Sequence, residues 1–238
     1  IGDFHTHTSV SHHAYSTVNE MVAAAKAKGL KAIAITNHGP EMLDGAIAHH
    51  FLCLPGLPDE VDGVRLLKGV EANIKDFDGR LDLDSAILCK LDFVIASYHV
   101  EAIGPGTLAD NTRGWINAIR SGMVDCLGHS GNPVFPFEHA SVVQECAKHG
   151  VAIEINANSL TVRPGSDENC KDVVALCLRH HVPMFINSDA HSMYSVGEFS
   201  GAVELVASMG VPESAILNTS FAKAMEFIEQ RKAIRRRG

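Results

Sequence analysis

The 238-residue chain contains no run approaching about 18 consecutive apolar residues, so no membrane-spanning helix is expected. It lacks the G-x-x-x-x-G-K-[ST] phosphate loop and a G-x-G-x-x-G turn after a strand, which removes the common nucleotide-binding readings. Gly128-His129-Ser130-Gly131-Asn132 only approaches a nucleophile elbow, because Asn132 stands at the second Gly position. The six cysteines form no Cys-x-x-Cys pair. Cys170 and Cys177 fall on one predicted helix, about 10 Å apart, too far for a disulfide. A chain of this length builds its own core without staples, so reduced thiols in a cytoplasm are expected. Ile1 opens directly into a short polar sequence, with no signal peptide expected. With 20 Gly and 9 Pro, collagen-like and repeat compositions are excluded, and 46% hydrophobic residues exclude disorder.

Positive charge is also scarce. Arg231, Lys232, Arg235, Arg236 and Arg237 crowd the C-terminus, and without them the chain carries 15 basic against 28 acidic residues, a balance of −13. Such a body argues against nucleic acid as the main partner. The basic segment 231–238 reads as a frayed, solvated tail behind a single domain at 1–230.

What is present is β-then-α alternation. Strands are expected at 2–5, 31–36, 65–71, 91–98, 124–129, 151–156 and 183–188. Several are near-continuous apolar runs, as parallel strands covered on both faces require. Thr17-x-x-Glu20 reads as a capping box opening a helix that Gly29 ends. Further helices are expected at 107–121, 138–149, 167–180, 198–209 and 221–231, and a short one carries His49 and His50 inside the irregular stretch 39–63. Seven such units point to a closed or nearly closed α/β barrel, with an open doubly wound sheet as the alternative.

The 14 histidines follow this pattern. Strand one runs into His5-Thr6-His7, with His12 and His13 just beyond, and strand two ends at Asn37-His38. Strand three ends at Glu71, strand four is followed by His99, strand five ends at His129, and strand seven leads into Asp189-Ala190-His191. In a barrel these carboxyl ends share one rim, where such folds keep their chemistry. His139, His149, His180 and His181 fall on helices or helix ends and read as bystanders, while His12, His49 and His50 stay open. His5, His7, His13, His38, Glu71, His99, His129, Asp189 and His191 make nine candidate ligands. One zinc takes three or four protein ligands, so nine imply two or three ions, with Glu71 bridging. Imidazole-rich ligation favours zinc, with manganese or iron as alternatives, over magnesium or calcium.

At these residues the sequence resembles the PHP (polymerase and histidinol phosphatase) superfamily. Its four signatures appear in order as His5-Thr6-His7, Thr36-Asn37-His38-Gly39, Gly128-His129 and Ser188-Asp189-Ala190-His191. The resemblance is closest to the YcdX-type metal-dependent phosphatases, through His13-Ala14-Tyr15-Ser16, 69–75, 129–133 and 165–170. It implies a distorted TIM-like (βα)7 barrel, a three-ion zinc site at the strands' C-terminal rim, and a homotrimer. Carried over by position, one ion falls to His5, His7, Glu71 and Asp189, a second to His13, His38 and His191, and a third to Glu71, His99 and His129. Two departures are Asn37, where the family has Asp, and Ser130, where YcdX-type proteins have Pro.

Such a cluster suits phosphate-ester hydrolysis by a metal-held hydroxide, with Glu71, Asp189 and His191 acting through the metals. The expected substrate is a small phosphomonoester. The alternatives are a phosphodiesterase or nuclease, and a closed, non-enzymatic zinc module. Arg163 is the candidate for a phosphate contact, since its planar fork suits phosphate oxygens. Asn156, Asn158, His49 and His50 are candidates for the leaving group.

Overall fold

Each apolar run forms a strand, and the strands lie side by side in parallel because the chain returns through a helix after nearly every one. The structure, a computed structural model, describes residues 1–237. The strands are β1 (Gly2–Thr6), β2 (Ala32–Ile35), β3 (Glu60–Val61), β4 (Val64–Asn73), β5 (Phe93–Ser97), β6 (Cys126–Leu127), β7 (Ala152–Asn156) and β8 (Met184–Asn187). They order as β1-β2-β4-β5-β6-β7-β8, all parallel, and the short β3 pairs antiparallel with the start of β4. The sheet wraps into a nearly closed, distorted TIM-like barrel, the expected α/β fold.

The line between β1 and β8 is closed mainly by side chains. Thr6 and Ala190 form one parallel bridge. The Phe4 N–H donates to Asn187 Oδ1 at 3.0 Å, and Asn218 Nδ2 donates to the carbonyls of Gly2, at 3.0 Å, and of Ile186.

The helices are α1 (Val18–Ala27), α2 (Ala48–Cys53), α3 (Ser85–Leu88), α4 (Leu108–Arg120), α5 (His139–His149), α6 (Ser159–Val162), α7 (Ser166–His180), α8 (Ser200–Ser208) and α9 (Phe221–Arg235). The capping box at Thr17 and Glu20 is formed, and Thr107 and Asp110 build a second one ahead of α4. Gly150 ends α5 in the left-handed region, φ 64°, a conformation that glycine takes without steric cost. His139, His149, His180 and His181 lie on or cap these helices.

Two features that the sequence reading did not contain matter for the site. β4 runs two residues past Glu71 to Asn73, because Gly69–Asn73 continue pairing with Phe93–Ser97. β1 carries a register shift: Asp3 pairs with Ile33, but Thr6 pairs with Ile35, so the β1 side has one residue more. A bulge of this kind breaks the in–out alternation of a strand. Phe4 can therefore join the interior layer with Phe93 and Phe185, at ring separations of 6.2 and 5.2 Å, while the next residue, His5, also reaches the barrel interior.

The C-terminal tail corrects the expectation outright. The helix α9 continues through Arg235, and Arg231 and Arg235 are buried at 3% and 0% exposure. Ala224 and Ile228 cover the apolar floor around Phe4, Phe93 and Phe185. The reason lies at the strands' N-terminal ends, where the carboxylates of Asp92 and Asp125 are buried and need countercharge. Arg235 pairs with Asp125 and donates to the carbonyls of Leu91 (2.8 Å) and Asp92 (3.1 Å). Arg231 donates to the carbonyls of His149 and Val124, both at 2.6 Å, and Lys232 pairs with Asp92. Arg236 and Arg237 are exposed, and the last residue of the segment, Gly238, lies outside the described residues.

Candidate metal centre

The strand ends converge as the histidine pattern requires. Glu71 lies at the centre, fully buried. Its Oε2 is 2.8 Å from His38 Nδ1, 3.2 Å from His5 Nε2 and 3.5 Å from His7 Nε2. Its Oε1 is 2.8 Å from His129 Nε2 and 3.4 Å from His99 Nε2, and accepts from Ser97 Oγ at 2.7 Å. Each carboxylate oxygen thus faces its own group of imidazoles. Asp189 Oδ1 is 3.1 Å from His7 Nε2 and 3.5 Å from His5 Nε2. His13 completes the outer side, with its Nε2 3.3 Å from His38 Nε2 and its ring 4.6 Å from that of His191. His12 takes no part in these contacts, so of the two neighbours it is His13 that joins the cluster.

Two of these residues have unusual backbone. His129 and Asp189 hold φ at 30° and 56°, left-handed values that are uncommon for side-chain-bearing residues. A buried acid holds His129 directly, and another holds Ser188, the residue before Asp189. The His129 N–H donates to Glu154 Oε2 at 2.8 Å, and Asp3 accepts from the Ser188 N–H at 3.2 Å and from its hydroxyl.

The electrostatics follow from the packing. Burial works against the ionised Glu71, yet the nearby His5, His99 and His38 hold its carboxyl well below the usual range. Burial, with His38 and His191 close by, pushes His7 well down. Burial and the Arg163 guanidinium hold His129 at about 4. Burial lowers His38 as well, whereas His5, despite its burial, is raised well above the ordinary value by the carboxylates of Glu154, Glu71 and Asp189. At His7, His38 and His129 the neutral imidazole is favoured and at Glu71 and Asp189 the charged carboxylate, the protonation a cation needs from its ligands.

The donor set fits metal ions. His5 Nε2, His7 Nδ1, His38 Nδ1, His191 Nε2 and Glu71 Oε2 are buried without a hydrogen-bond partner. His38 Nδ1 and Glu71 Oε2 approach each other without the alignment of a hydrogen bond, and His99 Nε2 and His129 Nε2 face each other at 3.1 Å. Orphaned polar atoms are costly in a protein interior unless something else binds them. Three trios have donor atoms all within 4.8 Å: His7, His38 and His191; His5, His7 and Glu71; and His38, Glu71 and His99. They overlap the sets implied by the resemblance without reproducing them.

Sequence reading missed the residues that aim these ligands. Glu154 Oε1 bonds His5 Nδ1 at 2.7 Å, and Asn187 and Asn156 both donate to its carboxylate at 2.9 Å. Asn73 Oδ1 accepts from His99 Nδ1 at 2.7 Å, and Asp44 Oδ2 from His13 Nδ1 at 2.5 Å. The available signal was Glu154 itself, an acid in the middle of an apolar run. Asn37, the family departure, accepts from the Thr8 N–H at 2.8 Å and donates to Thr8 Oγ1 at 3.0 Å, tying the end of β2 to the loop after β1.

Above the centre opens a cavity of about 1040 Å³, walled by residues that include His13, His99, Asn158, Arg163 and His191. Arg163 Nη1 is 3.7 Å from Asp189 Oδ2 and donates to Ser159 Oγ at 2.7 Å. Three leaving-group candidates lie elsewhere. Asn156 is turned inward, accepting from the Ser159 N–H and donating to Glu154. His50 faces Asn37, and His49 faces Cys53 at 3.5 Å.

The PHP domain matches residues 3–158, which contain seven of the nine clustered residues. The chain belongs to the PHP family. Similarity to known proteins extends beyond the matched residues. A "Probable phosphatase" of Acetivibrio thermocellus is 42% identical over 97% of this chain and 95% of its own length. "Probable phosphatase YcdX" of Escherichia fergusonii is 40% identical, covering 96% of this chain and 94% of its own. Among solved structures, histidinol phosphate phosphatase of Lactococcus lactis, complexed with zinc, L-histidinol and phosphate, superposes with a TM-score of 0.63 at 17% identity, covering 89% of this chain and 94% of that one. A chain of archaeal ribonuclease P reaches 0.59 at 16% identity, covering 98% and 90%. These two likenesses concern the fold alone. No described helix is long and apolar enough to cross a membrane.

Proposed function

We propose that this PHP protein is a metal-dependent phosphatase that hydrolyses phosphomonoesters of small molecules. The observation that carries the reading is Glu71, whose two oxygens serve separate imidazole groups beneath an open cavity with a guanidinium on its wall. The names of the full-length relatives and the zinc and phosphate of the histidinol phosphate phosphatase support it. Three ions, zinc by preference, are held by His5, His7, Glu71 and Asp189; by His13, His38 and His191; and by Glu71, His99 and His129. Ions there supply Lewis acidity toward phosphoryl oxygens and lower the pKa of water.

The chain's own groups bind and orient. Arg163 offers its planar fork to the phosphoryl oxygens, braced by Ser159. Glu154 accepts the Nδ1 proton of His5 and so leaves Nε2 free to face Glu71 and Asp189. Asp44, Glu101 and Glu198 on the cavity wall disfavour polyanionic leaving groups, which speaks for small esters over nucleic acid.

The test is elemental analysis followed by assays of phosphomonoesters and phosphodiesters before and after chelation. Monoester hydrolysis lost on chelation is expected. A metal-loaded protein that hydrolyses neither class overturns the proposal, and preference for diesters overturns the substrate class. Glu71→Ala is expected to lose more than one ion, and full retention would remove its bridging role.

A further inference from the structure

The proposed ligands are not equally sheltered. The side chains of His5, His7 and Glu71 are 0% exposed, and that of His38 is 5%. His191 rises to 23% and His13 to 42%. His13, His38 and His191 all line the cavity; of the other proposed ligands His99 and Asp189 reach it, whereas His5, His7, Glu71 and His129 do not.

His13 is held by one residue that no motif flags. Asp44 takes His13 Nδ1 on its carboxylate, and its backbone carbonyl accepts from the His12 N–H at 3.1 Å. This double clamp joins the loop after β2 to the loop after β1. The turn that presents it is tight: the Gly45 N–H donates to the carbonyl of Met42, and a Cβ on Gly45 would stand 2.2 Å from the Gly39 carbonyl oxygen. Asp44 is itself partly open to solvent, at 30% exposure.

Resting on the metal-dependent reading above, we infer that the position bounded by His13, His38 and His191 is an exchangeable ion site, and that Asp44 is the positioning residue that sets its affinity. Each inner position rests on at least two ligands closed off from the cavity, His5, His7 and Glu71 in one and Glu71 and His129 in the other. The outer one has all three ligands on the cavity and depends on an exposed imidazole aimed by a single, partly open carboxylate, and chelator or competing cation reaches it first. A carboxylate behind a ligand histidine fixes ring orientation and raises ligand basicity, and its loss typically weakens metal binding by about 10–100-fold. Phosphatase activity would then follow free metal concentration through the occupancy of this one position.

The experiment is stepwise removal of ions from zinc-loaded protein with a chromogenic chelator, with bound metal counted by elemental analysis at each step. Wild type is expected to release one equivalent well before the remainder. Asp44→Ala is expected to release that equivalent at about 10–100-fold lower chelator concentration while the others stay, and Asp44→Asn, which keeps an acceptor, to fall between. His13→Gln should lack the early equivalent altogether. Release of all ions in one step, or an Asp44→Ala profile matching wild type, overturns the inference. Catalysis is scored separately, so a protein that shows the two-step release but hydrolyses no phosphate ester refutes the phosphatase reading and leaves this one standing.

Discussion

Replacing Arg235 by methionine separates two accounts of the C-terminus. If 231–238 were a solvated tail, the change would sit within about 0.5 kcal/mol, as surface substitutions do. In the structure Arg235 is fully buried, pairs with the equally buried Asp125, and supplies donors to the carbonyls of Leu91 and Asp92. Methionine keeps much of the aliphatic bulk and removes every donor. Asp125 retains the Val94 N–H at 2.9 Å and Arg231 Nε at 3.4 Å, but loses its closest countercharge. Removing one partner of a buried pair costs about 3–5 kcal/mol. For a chain of this size each kcal/mol moves Tm by about 2–4 °C, so Arg235→Met should melt about 6–20 °C lower than wild type. Thermal unfolding can be followed through Trp115, the single tryptophan, which is buried against Tyr98 and Phe137. The control is Arg236→Ala, one residue on and exposed, which should stay near wild type. Equal melting of the two variants would refute the plug and restore the frayed tail.

The other expectations concern the site and pH. Arg163→Ala should lower kcat/KM by about 10–100-fold, the value of one charge-assisted contact, with metal content unchanged; an unchanged kcat/KM takes Arg163 out of the site. Glu154→Gln should weaken zinc binding by about 10–100-fold in chelator competition, because His5 loses its charged brace; unaltered affinity would assign Glu154 to packing alone. Glu145 is held at about 2, below the usual 4.5, by hydrogen bonds from Arg120 and Lys148. A depressed carboxyl stabilises the fold above the unfolded value and loses that contribution as pH falls through the folded one. Glu145→Gln should therefore melt below wild type at neutral pH, and the gap should narrow as pH drops from about 5 to about 3. A gap independent of pH would contradict the ion-paired reading.

The barrel and most of its rim were legible because both arise from local patterns. Continuous apolar runs mark parallel strands, and His5, His38, His129 and Asp189 stand where those runs stop. What escaped was set by contacts distant in sequence. Glu154 sits in β7 like any core residue, and only the fold brings it to His5, 149 positions away. Asp125 and Arg235 find each other across 110 positions, so a basic segment that looks solvated in sequence becomes the floor of the barrel. The bulge in β1 was equally invisible, because alternation alone predicts opposite faces for Phe4 and His5.

The line between β1 and β8 has one more consequence. A sheet that stops short of closure has two borders, and each is ordinarily a template on which another chain can add a strand. Here the borders confront each other, and Asn187 and Asn218 occupy the backbone groups that a foreign strand would seek. The molecule is therefore guarded against edge-to-edge aggregation like a sealed barrel. Two amide side chains do the work of a missing ladder, and any change that withdraws them hands the vacant borders to a neighbouring copy.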